Sequence, residues 1–381
     1  MTESGRIVHE VAASVGLAEG DAGVRDVVRA AARLEPVAVR KISRVTELPI
    51  PIVSAICNEL RKRGVVDRAR PVQLTAHGRE LFALPGGDIA AEAACPACAQ
   101  REIVVPASLA PAAQRLATFA DRAPTARVEL DQVHCDVETK IRRVLALHEA
   151  GALDGRRILL LGDDDLTSLA ISVVSEHIGV RPSRIVVVEV DRDIVAFLRR
   201  APFDVHVITH DLRNPLPLEL RGSIDTVFTD PPYTVEGATL FLSRAAEAVA
   251  GESRADVFLA FGGKRPEELL RVQQAIAEMG FVVRRLVRNF NEYLGAGALG
   301  GVSHLYQLST TSKLRPLFAA RYDGRLYTGD LRPPVRRYRC RSCRRIEAVG
   351  HRQTWSTIGA LRSDGCARCG SRTFLPLARS E

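Results

Sequence analysis

Apolar residues recur at three- and four-residue spacing in the first part of the chain, which predicts helices. Three such stretches are Val24–Leu34, Ala38–Thr46 and Ile50–Arg63, each followed by a break. Gly64–Val66 and Val72–Thr75 then form a predicted ribbon around a charged turn. Three helices and a ribbon are typical of a winged-helix domain, in which Ile50–Arg63 would be the recognition helix for DNA. The same fold also serves as a dimerisation or docking module.

Between residues 126 and 310, short apolar runs alternate with amphipathic stretches, which predicts alternating strands and helices. The predicted strands are Arg157–Leu161, Ile185–Glu189, Val205–Thr209, Thr226–Thr229, Val257–Phe261 and Val282–Val287. The predicted helices between them are Leu166–His177, Ile194–Arg200, Gly237–Ala250 and Pro266–Met279. This order predicts an α/β fold with a Rossmann-like, doubly wound sheet of the methyltransferase type. Such sheets bind ligands at the carboxyl ends of their strands.

These patterns divide the chain into four predicted parts. They are a winged-helix domain (1–90), a linker with a CxxC knuckle (91–125), a Rossmann-like catalytic domain (126–320) and a zinc-ribbon tail (321–381). The longest apolar runs have strand length, far below the ~20 residues that span a bilayer. The first residues show no charged region followed by an apolar one, so no signal peptide is expected. We expect a cytoplasmic protein with no membrane contact.

The net charge of +8 is concentrated at one end of the 381-residue chain. Residues 321–381 hold 14 arginines against 5 acidic residues, whereas the other 320 residues hold 39 basic and 40 acidic residues. The body is thus almost neutral, which argues against a general electrostatic attraction of the whole protein to nucleic acid. Nucleic acid is a partner that the sequence allows but does not favour.

Six of the eight cysteines fall in CxxC pairs, which are typical of metal sites in intracellular proteins. Two pairs with zinc-ribbon spacing predict a structural Zn²⁺ site in the tail. Its four ligands would be Cys340, Cys343, Cys366 and Cys369. Two disulfides are the alternative, which a cytoplasmic compartment disfavours. Cys95 and Cys98 supply only two ligands, so a metal there would need others, such as His134 and Cys135; a redox or vestigial pair is equally consistent.

The loop after the first predicted strand reads Gly162-Asp163-Asp164-Asp165. A dinucleotide or S-adenosylmethionine site would be expected to carry GxGxxG or GxG here. One aspartate could simply cap the following helix, but three repel each other unless a cation offsets their charge. The loop therefore predicts a positively charged ligand, such as a nucleoside with a sulfonium and an ammonium but no carboxylate.

The ends of the next three predicted strands carry further candidates. Glu189 is placed to accept hydrogen bonds from ribose hydroxyls, and Asp211 to accept one from an adenine amino group. The fourth strand ends in Asp230-Pro231-Pro232-Tyr233, where a carboxylate and the Pro231 carbonyl can hold an amine beside an aromatic wall. Such a motif is typical of enzymes that alkylate amines; the alternative is a proline-rich turn with a capping aspartate. Other candidates for the rim of this cleft are Asp131, His134, Glu236, Glu292 and Tyr293.

These residues resemble, in the same order, those of the branched-chain polyamine synthases, also called N4-bis(aminopropyl)spermidine synthases. The matching segments are Asp131–Cys135 with Arg142-Arg143, Leu161–Leu166, Asp211–Arg213, Thr229–Thr234 and Asn289–Tyr293. The resemblance implies an aminopropyltransferase whose donor is decarboxylated S-adenosylmethionine and whose acceptor is a spermidine-like polyamine. The by-product would be methylthioadenosine. The zinc-ribbon tail lies outside this resemblance and leaves the acceptor open.

A mechanism follows as a hypothesis. Asp230, aided by the Pro231 carbonyl, would orient the acceptor amine, and Asp230 or one aspartate of Asp163–Asp165 would accept its proton. The donor would be bound by Gly162, Glu189, Asp211, Asp131 and Pro231. The acceptor would be bound by Tyr233, Glu236, Glu292, Tyr293 and His134. We expect a homodimer.

Two other functions remain open from the sequence. The first is an S-adenosylmethionine-dependent amino-methyltransferase that acts on DNA or RNA, which the DPPY segment, the winged helix and the basic tail would suit. The acidic triplet argues against it, because it would repel both a methionine carboxylate and phosphate. The second is a winged-helix regulator whose sheet only senses polyamine, which the intact DPPY segment disfavours.

Overall fold

The computed structural model describes residues 3–82, 89, 92–98, 102–249, 255–294, 301–331, 336–350, 353–355 and 358–377. The chain divides into two compact units, Met1–Val128 with Gln132–Asp323, and Glu129–Asp131 with Gly324–Glu381. Among the described residues, no helix has the length and apolar character needed to cross a membrane.

The first unit begins with a helical domain that buries its own apolar core. Its helices are α1 (Glu3–Val15), α2 (Gly20–Leu34), α3 (Val39–Thr46), α4 (Ile50–Lys62) and α5 (Ala76–Leu81). The predicted ribbon is present as one antiparallel bridge, Val66 with Leu74, and Val37, which precedes α3, adds a second bridge to Val72. The three predicted helices are thus found, together with α1 and α5, which the periodicity did not predict.

The cations of the predicted recognition helix α4 already have partners within the helical domain. Lys62 and Arg63 both pair with Glu59, at 2.5 and 2.6 Å. Arg61 donates to the Asp67 carbonyl at 3.0 Å. These contacts occupy the three side chains within the domain, although Glu59 can cancel only one of the two positive charges that it contacts.

The remainder of the first unit is a seven-stranded sheet in the order β3-β2-β1-β4-β5-β7-β6. Its strands are β1 (Arg157–Leu161), β2 (Arg184–Glu189), β3 (Val205–Thr209), β4 (Thr226–Thr229), β5 (Asp256–Phe261), β6 (Phe281–Glu292) and β7 (Val302–Thr310). Strands β1 to β5 are parallel, and β7 runs antiparallel between β5 and β6. This confirms the predicted doubly wound sheet; the sequence missed β7 and the last five residues of β6.

Helices cover both faces of this sheet and seal its core. They are α6 (Ala110–Ala120), α7 (Val137–Ala150), α8 (Thr167–Ile178), α9 (Arg192–Arg200), α10 (Val235–Ala248) and α11 (Pro266–Glu278). The sequence predicted α8 to α11. Helix α6 lies in the segment predicted as a linker, and α7 precedes β1 without having been predicted.

The strand order places the loops that follow β1 and β4 side by side. The chain moves outward from β1 through β2 to β3, then returns to the other side of β1 as β4, which creates a topological switch point. In the sheet register, Leu161 pairs with both Val188 and Thr229. The segments that begin at Gly162 and Asp230 therefore start at the same level of the sheet's carboxyl edge.

The second unit contains a small antiparallel sheet in the order β10-β8-β9. Its elements are α12 (Thr328–Leu331), β8 (Arg336–Cys340), β9 (Ile346–Val349), α13 (Ile358–Asp364) and β10 (Phe374–Pro376). Its core is small and includes Tyr338, Leu361 and Phe374 beside two buried cysteines. So small a core usually needs a further stabilising element, such as a metal.

Candidate active site

The three aspartates of the acidic loop after β1 have different surroundings. Gly162 has φ +74° and donates to the Val188 carbonyl at 2.9 Å, which makes the tight turn that a glycine favours. Asp163 is buried and accepts hydrogen bonds from the backbone and hydroxyl of Ser168, near the start of α8. Burial raises the pKa of Asp163 to about 7, although the Ser168 bonds oppose this rise. Asp163 therefore closes the turn and stabilises the helix start.

Asp165 is held by cations from α7. Its carboxylate accepts from Arg143 at 2.7 Å and from the Cys135 backbone at 2.5 Å. The Lys140 ammonium lies 3.9 Å from the same carboxylate and donates to the Asp165 carbonyl at 2.7 Å. Burial would raise the pKa of Asp165, but Arg143 and Lys140 outweigh it and hold that pKa below its usual range. Asp165 is thus ionised and its charge is compensated.

Asp164 is the member of the triplet whose carboxylate makes no hydrogen bond or ion pair with the described residues. Its backbone carbonyl accepts from His134, but its side chain lies among Asp165, Asp230 and Glu189. Burial and then these like charges raise its pKa well above the usual value. A ligand with a positive charge would relieve this repulsion, and Asp164 is the carboxylate available to bind it.

A fully buried arginine connects the two loops of the site. The Arg143 side chain is 0% exposed and contacts Asp165 through one terminal nitrogen and Asp230 through the other, both at 2.7 Å. Its Nε donates to Asn291 at 2.7 Å. Buried charges are tolerated when they are paired and hydrogen-bonded, as here. From the sequence, Arg143 was noted only as part of a segment that resembles the family. Its position among apolar residues at helical spacing was the signal that could have identified it as a buried charge.

Asp230 lies at the end of β4 with one oxygen already occupied. Its Oδ2 accepts from Arg143 and from the Tyr293 hydroxyl, each at 2.7 Å. Its Oδ1 has no hydrogen bond from any described residue, and the side chain is 16% exposed. Burial raises the pKa of Asp230 to about 7, against the opposing effect of Arg143. A carboxylate with this pKa can exchange a proton near neutral pH.

The Tyr293 hydroxyl belongs to a second layer of hydrogen bonds. It lies 2.8 Å from the Ser303 hydroxyl, which also accepts from Asn291 at 2.9 Å. Asn291 is fully buried because β6 extends to Glu292, beyond its predicted end. Ser303 comes from β7. The two strands that sequence reasoning shortened or missed therefore supply the groups that orient Asp230.

The aromatic wall predicted at Tyr233 is present, and a lysine of the chain lies against it. The Tyr233 ring lies 5.5 Å from that of Phe261. A Cβ at Gly262 would lie only 1.3 Å from the Tyr233 hydroxyl oxygen, so a larger residue there would displace the Tyr233 ring from this position. Lys264 donates to the Tyr233 carbonyl, and its ammonium lies 4.7 Å from the Tyr233 ring centre. The ring therefore faces a cation, as its chemistry favours.

The residues predicted to contact an adenosyl group lie at the ends of β2 and β3. Glu189 is buried and accepts from the backbone of Asp163, Val190 and Asp191 at 2.7–2.9 Å. A carboxylate has about four acceptor positions, so one remains for a ligand hydroxyl. Asp211 accepts from the Arg213 backbone at 2.9 Å in a local turn and is only partly buried.

Four predicted rim residues have other surroundings. Each His134 ring nitrogen lies 2.9 Å from a carbonyl oxygen, of Asp164 and of Pro124. Glu236 pairs with Arg271 at 2.9 Å, and Glu292 is exposed at the end of β6. Asp131 belongs to the second unit, where it accepts from the Thr328 backbone and hydroxyl at 2.7 and 2.8 Å.

The four tail cysteines come together in the second unit with all sulfurs within 4.8 Å of one another. The closest pairs, Cys340 with Cys369 and Cys343 with Cys366, are 3.6 and 3.5 Å apart, and none of the four forms a disulfide. Zn–S bonds of about 2.3 Å in a tetrahedron place sulfurs about 3.8 Å apart, so the set fits zinc.

A second cysteine group forms at the CxxC knuckle of the first unit. Cys95, Cys98 and Glu102 offer three ligand atoms within 4.8 Å of one another. Neither His134 nor Cys135, the partners considered from the sequence, belongs to this group; His134 instead groups with Asp164 and Asp165. Cys135 is buried, and burial raises the pKa of its thiol. Three ligands do not complete a structural zinc site.

Comparison with curated proteins places this site in a family. A family model for the branched-chain polyamine synthase A C-terminal domain matches residues 111–322. N(4)-bis(aminopropyl)spermidine synthase of Thermus thermophilus is 32% identical over 298 residues, or 76% of this chain and 81% of the relative. The enzyme of the same name from Thermococcus kodakarensis is 32% identical over 270 residues, or 68% of this chain and 74% of the relative.

Two further matches extend beyond the catalytic region. An uncharacterised protein of Methanocaldococcus jannaschii is 32% identical over 390 residues, which cover 98% of this chain and 93% of that protein. The crystal structure of the branched-chain polyamine synthase from Thermus thermophilus, in complex with N4-aminopropylspermidine and 5′-methylthioadenosine, matches with a TM-score of 0.54 and 27% identity. It covers 86% of this chain and 97% of that chain. The resemblance found in the sequence is confirmed, and the chain belongs to the branched-chain polyamine synthase family.

Proposed function

We propose that this chain is an aminopropyltransferase of branched polyamine synthesis, which alkylates a nitrogen of a polyamine. The observation that carries the proposal is the pairing of an uncompensated carboxylate, Asp164, with an amine-directed carboxylate, Asp230, at one switch point. The Thermus thermophilus relative binds N4-aminopropylspermidine and 5′-methylthioadenosine. These are a branched polyamine and the nucleoside that remains when an aminopropyl group leaves its donor.

The donor that suits this site is decarboxylated S-adenosylmethionine. Its ammonium and sulfonium carry positive charge. Asp164 has no cationic partner among the described residues, so either group could pair with it. A methionine carboxylate would add another acidic group beside Asp164 and Glu189, whereas an ammonium can pair with Asp164 and favour its ionised form. Glu189 and Asp211, at the ends of β2 and β3, would bind the ribose and the adenine amino group. Gly162 allows the nucleoside to approach the turn.

The transfer requires a neutral nitrogen on the acceptor. Alkyl ammonium groups titrate near ~10, so the bound amine must lose a proton before it attacks. Asp230 Oδ1 and the Pro231 carbonyl would hold the amine, and Asp230 would take the proton. The nitrogen then attacks the propyl carbon bonded to sulfur, the C–S bond breaks, and its electron pair stays on sulfur. In-line placement of the two reactants supplies most of the acceleration.

The acceptor would bind along the wall formed by Tyr233 and Phe261. A polyamine carries several ammonium groups, and rings of this kind attract them. Lys264 already places a positive charge 4.7 Å from the Tyr233 ring centre. Lys264 would repel an acceptor ammonium at that position. The neutral reacting nitrogen would therefore lie at the wall, and the ammonium groups of the acceptor would lie elsewhere in the cleft. A spermidine-like acceptor with an internal secondary amine meets this requirement, because its charged ends lie several bonds from the reacting nitrogen.

The tail would hold one structural Zn²⁺ through Cys340, Cys343, Cys366 and Cys369. The sulfur spacing and the small core of the second unit both support this assignment. The ion would link the four cysteines and so stabilise the fold of the second unit, whose apolar core is small.

The reaction is tested by incubating the full chain with spermidine and either S-adenosylmethionine or its decarboxylated form. We expect product only with the decarboxylated donor, with a gain of about 57 mass units per transfer, read by mass spectrometry. A gain of about 14 with S-adenosylmethionine would identify a methyltransferase and contradict the proposal. Heat-denatured protein with the decarboxylated donor is the control.

Replacement of Asp230 by Asn removes the proton acceptor but keeps the shape of the side chain. We expect kcat to fall by about 10²- to 10⁴-fold, the usual contribution of a general base. Donor affinity, measured by calorimetry with methylthioadenosine, should change little. Asp193→Asn, which alters an exposed carboxylate in α9, is the matched control. Full turnover in Asp230→Asn would show that another group takes the proton.

Arg143→Met tests whether this buried arginine positions and tunes Asp230. Loss of one partner of a buried ion pair costs about 3–5 kcal/mol of unfolding free energy. Because Arg143 lowers the pKa of Asp230, its removal should move the rise of kcat with pH to higher pH. Arg143→Lys should restore part of this shift. Arg6→Met on the surface of α1 is the control, and an unmoved pH profile would reduce Arg143 to a purely structural role.

Zinc binding is checked by measuring metal content after purification without added metal. We expect about one zinc per chain, which Cys343→Ser should largely remove. Cys57→Ala, a buried cysteine outside the four-cysteine group, should keep the metal. Retention of zinc in Cys343→Ser would contradict the assignment and direct attention to Cys95 and Cys98.

A further inference from the structure

A cavity of about 400 Å³ lies between the helical domain and the sheet domain of the first unit, and none of the residues that end β1 and β4 lines it. One wall is α2, and the opposite wall is the segment that joins α7 to β1. Four arginines line it, three at successive turns of α2 and one just before β1. They are Arg25, Arg29, Arg33 and Arg156.

Two of these arginines already serve the structure. Arg29 pairs with Asp26 at 3.0 Å and donates to the Ala150 carbonyl at 3.2 Å. Arg33 donates to the carbonyls of Glu149 and His148, each at 2.9 Å. These carbonyls belong to the last turn of α7, where no intrahelical donor is available and positive charge is favoured. Arg29 and Arg33 thus join the two domains.

The other two arginines have guanidinium N–H groups that make no hydrogen bond with the described residues. Arg25 makes no hydrogen bond or ion pair with any residue in the described part of the chain. Arg156 donates one hydrogen bond, from Nε to the Gly151 carbonyl at 3.1 Å. Two aspartates also line the cavity. Asp225 forms a two-bond pair with Arg157 at 2.8 and 2.9 Å, and Asp154 accepts from the Arg181 backbone at 3.2 Å, so the four arginines still outnumber the acidic residues. Burial, and after it the charge of Arg156, lowers the pKa of Arg25.

The arginines therefore crowd like charges around a space that has the volume of a small-ligand site. Ligand pockets of this kind measure roughly 300–1,000 Å³. Guanidinium groups are planar and present paired N–H donors that match phosphate oxygens. A single carboxylate would satisfy one arginine, whereas a ligand with two linked phosphates presents enough oxygens for several. Burial of the arginines strengthens each contact by limiting solvent screening.

We propose that this cavity is a binding site for a small phosphate-bearing anion of about diphosphate size. Arg25 and Arg156 bind the phosphate oxygens, and Arg29 and Arg33 add positive charge from the same wall. The site is separate from the aminopropyl transfer and does not depend on it. Its ligand contacts the residues that fix the C-terminal end of α7, the helix that carries Arg143.

Calorimetric titration of the full chain with sodium diphosphate, without polyamine and at constant ionic strength, tests the proposal. We expect one saturable site per chain, with affinity reduced about tenfold or more in Arg25→Gln/Arg156→Gln. Arg40→Gln/Arg44→Gln, which alters two exposed arginines of α3, should bind as the unchanged protein does. Arg25→Gln alone provides a second variant, because Arg25 makes no hydrogen bond or ion pair with the described residues and its attractive charge interaction is with Asp21, one turn earlier in α2. A thermal melt without ligand confirms that each variant is folded.

Three results would overturn the proposal. The first is diphosphate affinity that is unchanged in the folded Arg25→Gln protein and in the double variant. The second is equal loss in the Arg40→Gln/Arg44→Gln control, which would indicate general charge attraction. The third is binding of duplex DNA through Arg25 and Arg156 in the absence of any diphosphate binding, which would assign these arginines to a nucleic-acid surface.

Discussion

The candidate active site depends on a single buried guanidinium. Arg143 binds Asp165 from the loop after β1 and Asp230 from the loop after β4, and no part of its side chain is exposed. Two neighbouring carboxylates would repel each other in a poorly solvated site. The arginine between them offsets this repulsion and fixes their positions through its hydrogen bonds. Arg143 and Lys140 together balance Asp165 and Asp230, so Asp164, whose pKa is raised by burial and neighbouring carboxylates, is the acidic group left without a cation.

Four further residues, three from other elements and Lys140 from the same helix, complete the hydrogen-bond network around Arg143. Asn291 and Ser303 orient the arginine and the Tyr293 hydroxyl, and Lys140 secures the other side of Asp165. These groups come from β6, β7 and α7, which are distant in sequence but adjacent in the fold. Within this network, Asp230 Oδ2, Asn291 and the Tyr293 hydroxyl all have partners, and such hydrogen bonds restrict the orientation of the Asp230 side chain. The free oxygen of Asp230 is then directed into the cleft.

The sequence predicted the parallel strands well because they are buried on both faces and read as continuous apolar runs. It missed β7, Val302–Thr310, because serine, histidine, glutamine and threonine interrupt its apolar positions. It missed α7 for a related reason, since Lys140 and Arg143 stand on its buried face. The triplet Asp163–Asp165 was visible in the sequence, but the different roles of its members were not. Asp163 closes the turn, Asp164 has no cationic partner among the described residues, and Asp165 pairs with Arg143. These differences depend on partners from remote elements, which residue spacing cannot specify.

The chemistry of the cleft follows from charge more than from the fold. A doubly wound sheet of this order places a nucleoside at its switch point whichever loop follows β1. Here that loop carries carboxylates where a glycine-rich turn would present backbone amides to an anionic group. A site that binds anions has become one that attracts cations, which is what a donor without a carboxylate and a polyamine acceptor both require. The formal charge of +8 conceals this, because the whole of the excess belongs to the tail. The property of this chain that suits cationic substrates is therefore the local charge at three strand ends and not the sum over the chain.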